Sequence, residues 1–252
     1  MTFPVFIGYD ERERDAYEVC RASLIRRSSE PLHIVRLGRV EPCRAGFHSR
    51  GYVRQEGAQR VDLRDGKPFS TDFSFTRFLV PALSLYQGWA LFCDGDFLFT
   101  ADIAGLFELA DDRYAVMCVK HDHTPTETVK MDGMAQTRYF RKNWSSLVLW
   151  NCEHRANRCV TKNSVNRMPG SWLHAFSWLN DELIGSIPRT WNHLVGVDPE
   201  PKETPCGIHY TLGIPSMPGY ENCRYADLWR AERDSRRGVG PLLTEFLRAR
   251  AA

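Results

Sequence analysis

Two aspartates flank a single glycine in the run Phe92-Cys93-Asp94-Gly95-Asp96. Placed two residues apart, their carboxylates can project to one side. A few carboxylates together with substrate phosphates are what hold hard divalent cations such as Mg²⁺ and Mn²⁺. Gly95 lets the backbone approach closely between them. An Asp-x-Asp triplet is weak evidence alone, because surface turns produce many. Its context strengthens it: Ala90-Leu91-Phe92-Cys93 reads as a buried strand. Both carboxylates then emerge at the carboxyl end of a central strand, where open α/β sheets bind ligands.

A second cluster, Cys118, His121 and His123, tests as a soft-metal site, since the two histidines share a face if the chain is extended. No fourth ligand stands nearby, and the loop reading is preferred. The eight cysteines are scattered singly from Cys20 to Cys223 with no Cys-x-x-Cys pair. Free thiols are expected, several behaving as small hydrophobes inside apolar runs.

The elements that must position Asp94 and Asp96 begin with Phe3 to Gly8, a short apolar run. Glu11 to Arg27 follows with Ala16, Val19, Cys20, Ser23 and Leu24 at helical spacing, then the apolar run Leu32 to Leu37. Strand, helix and strand in this order make a βαβ unit and imply a parallel sheet. Residues 38–70 are Arg-, Gly- and polar-rich and read as a long, partly ordered loop with one brief strand at Arg60 to Leu63. A helical face runs over 72–86 through Phe75, Phe78, Leu79, Ala82, Leu83 and Tyr86, mildly broken by Pro81. Beyond the acidic cluster come Phe97 to Phe99, a short helix around 103–109, a strand over 114–119 and a polar loop from Lys120 to Thr137 that suits a lid. A further strand is expected over 145–150 and a short aromatic-rich helix over 172–179. The stretch 229–252 is an Arg-rich tail with Leu242, Leu243, Phe246 and Leu247 on one helical face, able to pack on the body or touch a membrane surface.

The chain has 252 residues, 43% hydrophobic and 25% charged, enough for one folded α/β domain and too apolar for disorder. The net charge of +2 gives no global pull toward nucleic acid. No secretory signal opens the sequence, and no run of ~18 apolar residues occurs. A soluble cytoplasmic protein is expected.

Five segments resemble, in order, the retaining glycosyltransferases of family 8, which include glycogenin and bacterial lipooligosaccharide galactosyltransferases. Phe6-Ile7-Gly8-Tyr9-Asp10 is similar to the first strand and nucleotide-contacting turn. Phe75 to Pro81 resembles the helix whose arginine, here Arg77, faces the donor, and Leu91 to Thr100 resembles the metal-binding strand. Trp144 to Asn151 is similar to the strand facing the donor sugar. Its register differs, with Trp144 and Ser146 where the family has Asn and Gly, and Asn143 serves only if the register slips by one. Ile208 to Gly213 resembles the late segment whose histidine, here His209, completes the metal site. The family's following phosphate-contacting lysine has no counterpart beside Pro215.

The resemblance implies a single glycosyltransferase-A (GT-A) domain of α/β class, with a mostly parallel central sheet flanked by helices and a Rossmann-like nucleotide-binding half. Residues 1–120 would bind nucleotide-sugar and metal, 121–228 the sugar and acceptor, with 229–252 as the tail. It implies transfer of a hexose from a UDP-sugar, with Mn²⁺ or Mg²⁺ held by Asp94, Asp96 and His209. Gly8, Tyr9, Asp10, Arg77, Ser145, Ser146 and Gly213 would contact the donor. Asp181 and Glu182, before Ile184 to Pro188 and Trp191-Asn192, are the acids to stabilise charge at the anomeric carbon. His121 and His123 could then border the sugar pocket. The acceptor, whether glycan, lipid-linked or protein, is left open. Two alternatives are a metal-dependent nucleotidyltransferase and a catalytically silent carbohydrate-binding protein. The first wants a glycine-rich loop that Gly8-Tyr9-Asp10-Glu11-Arg12 does not supply, and nothing structural in the second requires Asp94, Asp96 and His209 together.

Overall fold

The computed structural model describes residues 2–55, 59–121, 141 and 143–235. Strand β1 (Phe3–Gly8) buries Val5, Phe6 and Ile7 completely, as a strand covered on both faces must. Asp10 caps a short 3₁₀ turn by accepting from the Arg12 N–H. Helix α1 (Arg14–Arg27) then buries Ala16, Val19, Cys20 and Leu24 on one face and returns the chain to β2 (Leu32–Leu37), which lies parallel to β1 from Phe3↔Leu32 to Gly8↔Leu37. The βαβ opening is as expected.

The span 38–70 is more ordered than its composition suggests. After α2 (Val40–Arg44), strands β3 (Tyr52–Arg54), β4 (Arg60–Asp62) and β5 (Pro68–Phe69) form a small antiparallel sheet. Its strands are too short to show a period, and its anchors are charges. Arg50 grips Asp62 through two hydrogen bonds of 3.0 and 2.6 Å, and both side chains are buried. Arg60 in turn reaches Asp10 at 2.8 Å.

The expected helix over 72–86 is also shorter, a 3₁₀ turn (Thr76–Leu79) running into α3 (Val80–Leu83). Pro81 suits the first turn of a new helix, and left-handed Leu85 and Tyr86 (φ 54° and 55°) end it. Strand β6 (Trp89–Cys93) leads through Asp94-Gly95-Asp96 into β7 (Phe97–Phe99), followed by α4 (Ala104–Phe107), β8 (Val116–Cys118) and β9 (Leu147–Asn151). Helices α5 (Lys162–Arg167) and α6 (Gly170–His174) precede β10 (Ile184–Ser186), β11 (His193–Leu194), β12 (Gly207–His209) and α7 (Ala226–Ser235). The aromatic-rich helix expected over 172–179 is thus α6, begun at Gly170 and stopped before left-handed Phe176 (φ 50°).

The central sheet has the order β10-β8-β9-β6-β1-β2. Its pairings are parallel except those of β9, which runs against both β6 and β8. A second sheet, β11-β12-β7, has β12 antiparallel to β7 with His209 opposite Phe97. Phe6, Phe78, Phe92 and Trp150 fill the core on one side of the central sheet, and Ile7, Leu91, Phe97 and Leu149 fill it on the other. Buried Glu232 of α7 clasps Arg26 and Arg27 of α1 at 3.0 and 2.8 Å.

No helix among the described residues is long and apolar enough to cross a membrane. The lid expected over 120–137 lies outside the described residues beyond His121, as do His123 and the tail's Leu242, Leu243, Phe246 and Leu247.

Candidate metal centre

The ends of two sheets meet at Asp94-Gly95-Asp96. Because β9 is reversed, its beginning faces the carboxyl end of β6: Cys93 pairs with Leu147, and the Asp94 N–H donates to the Ser146 carbonyl at 2.8 Å. On the other side Asp96 leads into β7, whose partner β12 ends at His209, and the Tyr210 N–H donates to the Asp96 carbonyl at 3.0 Å. The bend between the sheets needs glycine, since a Cβ at Gly95 would stand 2.5 Å from the Gly8 carbonyl oxygen.

One ligand atom each from Asp94, Asp96 and His209 lies within 4.8 Å of the others, and among the described residues this is the group able to hold a metal ion. His209 Nε2 stands 3.3 Å from Asp96 Oδ1. Buried His209 stacks on the Phe97 ring at 4.4 Å, and its Nδ1 lies 2.9 Å from Asn192 Oδ1. Asn192 donates from Nδ2 to Ser146 Oγ at 2.9 Å, and Ser146 donates onward to the Asn143 carbonyl at 2.7 Å. That chain makes Asn192 Oδ1 the acceptor, so Nδ1 carries a proton and the ring turns its Nε2 toward the carboxylates. Two carboxylates and an imidazole oriented through its other nitrogen suit a divalent cation.

Arg77, buried, bridges to Asp94 Oδ1 at 2.8 Å and donates to the Ser145 carbonyl at 3.0 Å. Its guanidinium lies 5.1 and 5.2 Å from the Phe73 and Phe92 ring centres, consistent with its fixed placement. Ser145 Oγ lies 2.8 Å from His174 Nδ1. Burial pushes the Tyr210 hydroxyl, the neighbour of His209, far above its ordinary range.

These groups open on a cavity of about 930 Å³ lined by Arg77, Asp94, Asp96, Ser145, Ser146, His209 and Gly213, all seven among the predicted site residues. Gly8, Tyr9 and Asp10 do not line it. Gly8 packs under Gly95 and against Phe73, whose ring a Cβ at Gly8 would meet at 2.6 Å. Tyr9 hydrogen-bonds Glu11 and lies under Arg36, with 4.6 Å between guanidinium and ring centre. Asp10 is buried; burial alone would raise its carboxyl, but hydrogen bonds from Arg12 and Arg60 outweigh it and hold the group well below the usual carboxylate range.

Asp181 and Glu182 stand outside the lining, in a 3₁₀ turn before β10 at the sheet edge. The Asp181 side chain is 79% exposed and ion-paired with Arg141. Asn143, with φ of 66°, does line the cavity, as do Lys67 and His174. His174 and the orienting role of Asn192 had no sequence signal, because their partners lie 29 and 17 residues away with no shared period. Of the cluster Cys118, His121 and His123, the last lies outside the described residues, and burial pushes the Cys118 thiol up to about 12.

No protein-family model matches the chain. Protein CDI of Arabidopsis thaliana is 48% identical over 236 residues, spanning 92% of this chain and 86% of that protein. Among solved structures, the WbbM bifunctional glycosyltransferase in its apo form matches with a TM-score of 0.61 at 14% identity, over 100% of this chain and 52% of that one. The galactosyltransferase LgtC, in complex with donor and acceptor sugar analogues, matches with a TM-score of 0.52 at 13% identity, over 99% of this chain and 100% of that one. This chain therefore spans about half the length of WbbM. The shared architecture is the GT-A fold of glycosyltransferases, a mostly parallel sheet with flanking helices.

Proposed function

The chain belongs to the family of Arabidopsis thaliana Protein CDI and has a glycosyltransferase fold, and from that premise we propose that it is a metal-dependent hexosyltransferase using a UDP-sugar donor and retaining anomeric configuration. The observation that carries the reading is the convergence of Asp94, Asp96 and His209 within 4.8 Å at the wall of a cavity of about 930 Å³. Nothing in the packing of a sheet end requires two acids and an imidazole together; Arg77 already offsets the charge of Asp94, and a divalent cation would join all three ligands.

Asp94, Asp96 and the Nε2 of His209 would hold Mn²⁺ or Mg²⁺. Bound there, the ion would neutralise charge developing on the departing diphosphate. Arg77 holds Asp94 in place and brings a positive charge to the sugar side of the site, and Lys67 brings another to the cavity. In this reading they serve where the family's late lysine is missing beside Pro215. Ser145, Ser146 and Gly213 border the donor, while Gly8, Tyr9 and Asp10 act at one remove. Gly8 seats Phe73 and Gly95. Asp10, through Arg60, tethers the strand that leads to Ser70, whose carbonyl accepts from Arg60 at 3.0 Å. The cavity walls would hold the acceptor hydroxyl near the anomeric carbon.

Calorimetry of UDP with and without Mn²⁺ tests the reading. Binding is expected to depend on the ion and to vanish in Asp96→Asn, and UDP release from UDP-hexoses should share that dependence. Equal UDP affinity in excess chelator would remove the metal-bridged mechanism.

A further inference from the structure

The cavity is chemically uneven. Residues 143–174 contribute the hydrogen-bonding side chains of Asn143, Ser145, Ser171 and His174, whereas the segment 212–220 contributes Leu212, Met217 and Tyr220. A diphosphate seeks cations and the metal; a hexose, neutral and rich in hydroxyls, seeks neutral donors and acceptors at fixed angles. Among those four, His174 is the residue whose orientation is set from two sides. Ser145 Oγ holds its Nδ1 at 2.8 Å, and the ring packs edge-on against buried Phe78 with centroids 5.0 Å apart.

His174 is also joined to the metal-binding carboxylate. Ser145, which holds the imidazole through its hydroxyl, accepts from Arg77 through its carbonyl at 3.0 Å, and Arg77 bridges Asp94 at 2.8 Å. A sugar attached to a diphosphate at Asp94 and Asp96 must lie within one ring's reach of the cation, and this relay puts His174 at the edge of that space on the Arg77 side.

Resting on the glycosyltransferase reading, we infer that His174 is a donor-sugar contact: its imidazole hydrogen-bonds a hydroxyl of the transferred hexose and helps set which hexose is accepted. The ring exchanges no proton with the reacting atoms in this role. Its contribution is recognition, so it belongs to the affinity for the sugar and not to the affinity for the nucleotide. A hexose differing at the contacted hydroxyl loses that bond and leaves a polar group at the wall without its partner.

The experiment is calorimetry in Mn²⁺ of UDP, UDP-glucose and UDP-galactose with wild type, His174→Ala and His174→Gln. One neutral hydrogen bond corresponds to roughly 3- to 10-fold in affinity. His174→Ala should leave UDP within about 2-fold of wild type, weaken at least one UDP-hexose by about 3- to 10-fold, and narrow the ratio between the two epimers. His174→Gln, which keeps a hydrogen-bonding group and guards against a folding defect in the alanine variant, should recover part of the loss. Equal weakening of UDP and both UDP-hexoses, or no change in any with a lowered Tm, would overturn the assignment and leave His174 a packing residue. If wild type binds none of the three with Mn²⁺, the donor reading falls and this inference falls with it. A wild type that binds while the variants show no sugar-specific loss refutes His174 alone.

Discussion

Asn192→Ala separates a metal site from an incidental gathering of acids. The Asn192 side chain is fully buried and makes two hydrogen bonds of 2.9 Å, one to His209 and one to Ser146. Removing it leaves the buried Nδ1–H of His209 without its acceptor and Ser146 Oγ without a donor, a cost of about 1–3 kcal/mol for each group before relaxation. Tm should fall by several degrees. The ring also loses what fixes its tautomer and tilt, and removing such an outer partner typically weakens metal binding about 10- to 100-fold, or about 1.4–2.8 kcal/mol. The assay is a Mn²⁺ titration at fixed UDP on wild type, Asn192→Ala, His209→Ala and the double variant, with Tm measured on the same preparations. If Asn192 acts through His209, the double variant should bind Mn²⁺ as His209→Ala does, because the two losses share one interaction. An Asn192→Ala protein that melts early yet binds Mn²⁺ with wild-type affinity would refute the reasoning. So would losses that multiply in the double variant.

Gly95→Ala should lower stability by about 1–3 kcal/mol, read as a lower Tm, and weaken Mn²⁺-dependent UDP binding, because the new methyl group meets the Gly8 carbonyl at 2.5 Å and backbone must move; wild-type values in both measurements would refute this. Burial, then Arg39 and Arg50, push the buried His48 imidazole down from 6.5 to about 4. Below about 6.5 the unfolded chain takes a proton that the folded chain refuses, so stability should fall between about pH 6.5 and 4 by up to about 1.4 kcal/mol per pH unit and level off below. Denaturant curves of His48→Gln should lack this slope, and profiles parallel to wild type would exclude it. Asp181→Asn and Glu182→Gln should each keep turnover within about 3-fold, well short of the 100-fold loss expected of a group that stabilises developing charge, since neither side chain lines the cavity. A loss of that size in steady-state transfer would place an acid at the anomeric face.

The strands and the principal helix of the N-terminal half were legible in the amino-acid sequence because their signals are local. Val5-Phe6-Ile7 and Ala90-Leu91-Phe92 are uninterrupted apolar runs, and α1 shows its buried face at helical spacing. The acidic pair at the end of β6 was legible for the same reason: a strand's end and the residues just past it are neighbours in sequence. His209 could be named only through the late segment's resemblance to glycosyltransferases, since nothing local in Ile208-His209-Tyr210 speaks of a metal. The small sheet over 52–69 stayed hidden because charge pairs such as Arg50–Asp62 anchor it, and these leave no apolar period.

Tertiary structure alone decided the rest. The reversal of β9 sets Ser145 and Ser146 beside Asp94, and the pairing of β12 with β7 sets His209 beside Asp96. It brought Asn192 to the imidazole and His174 to Ser145, and it left Asp181 and Glu182 at the sheet edge. Strand direction and register are settled by which faces bury together across the whole sheet, a sum over distant segments that no window of sequence contains.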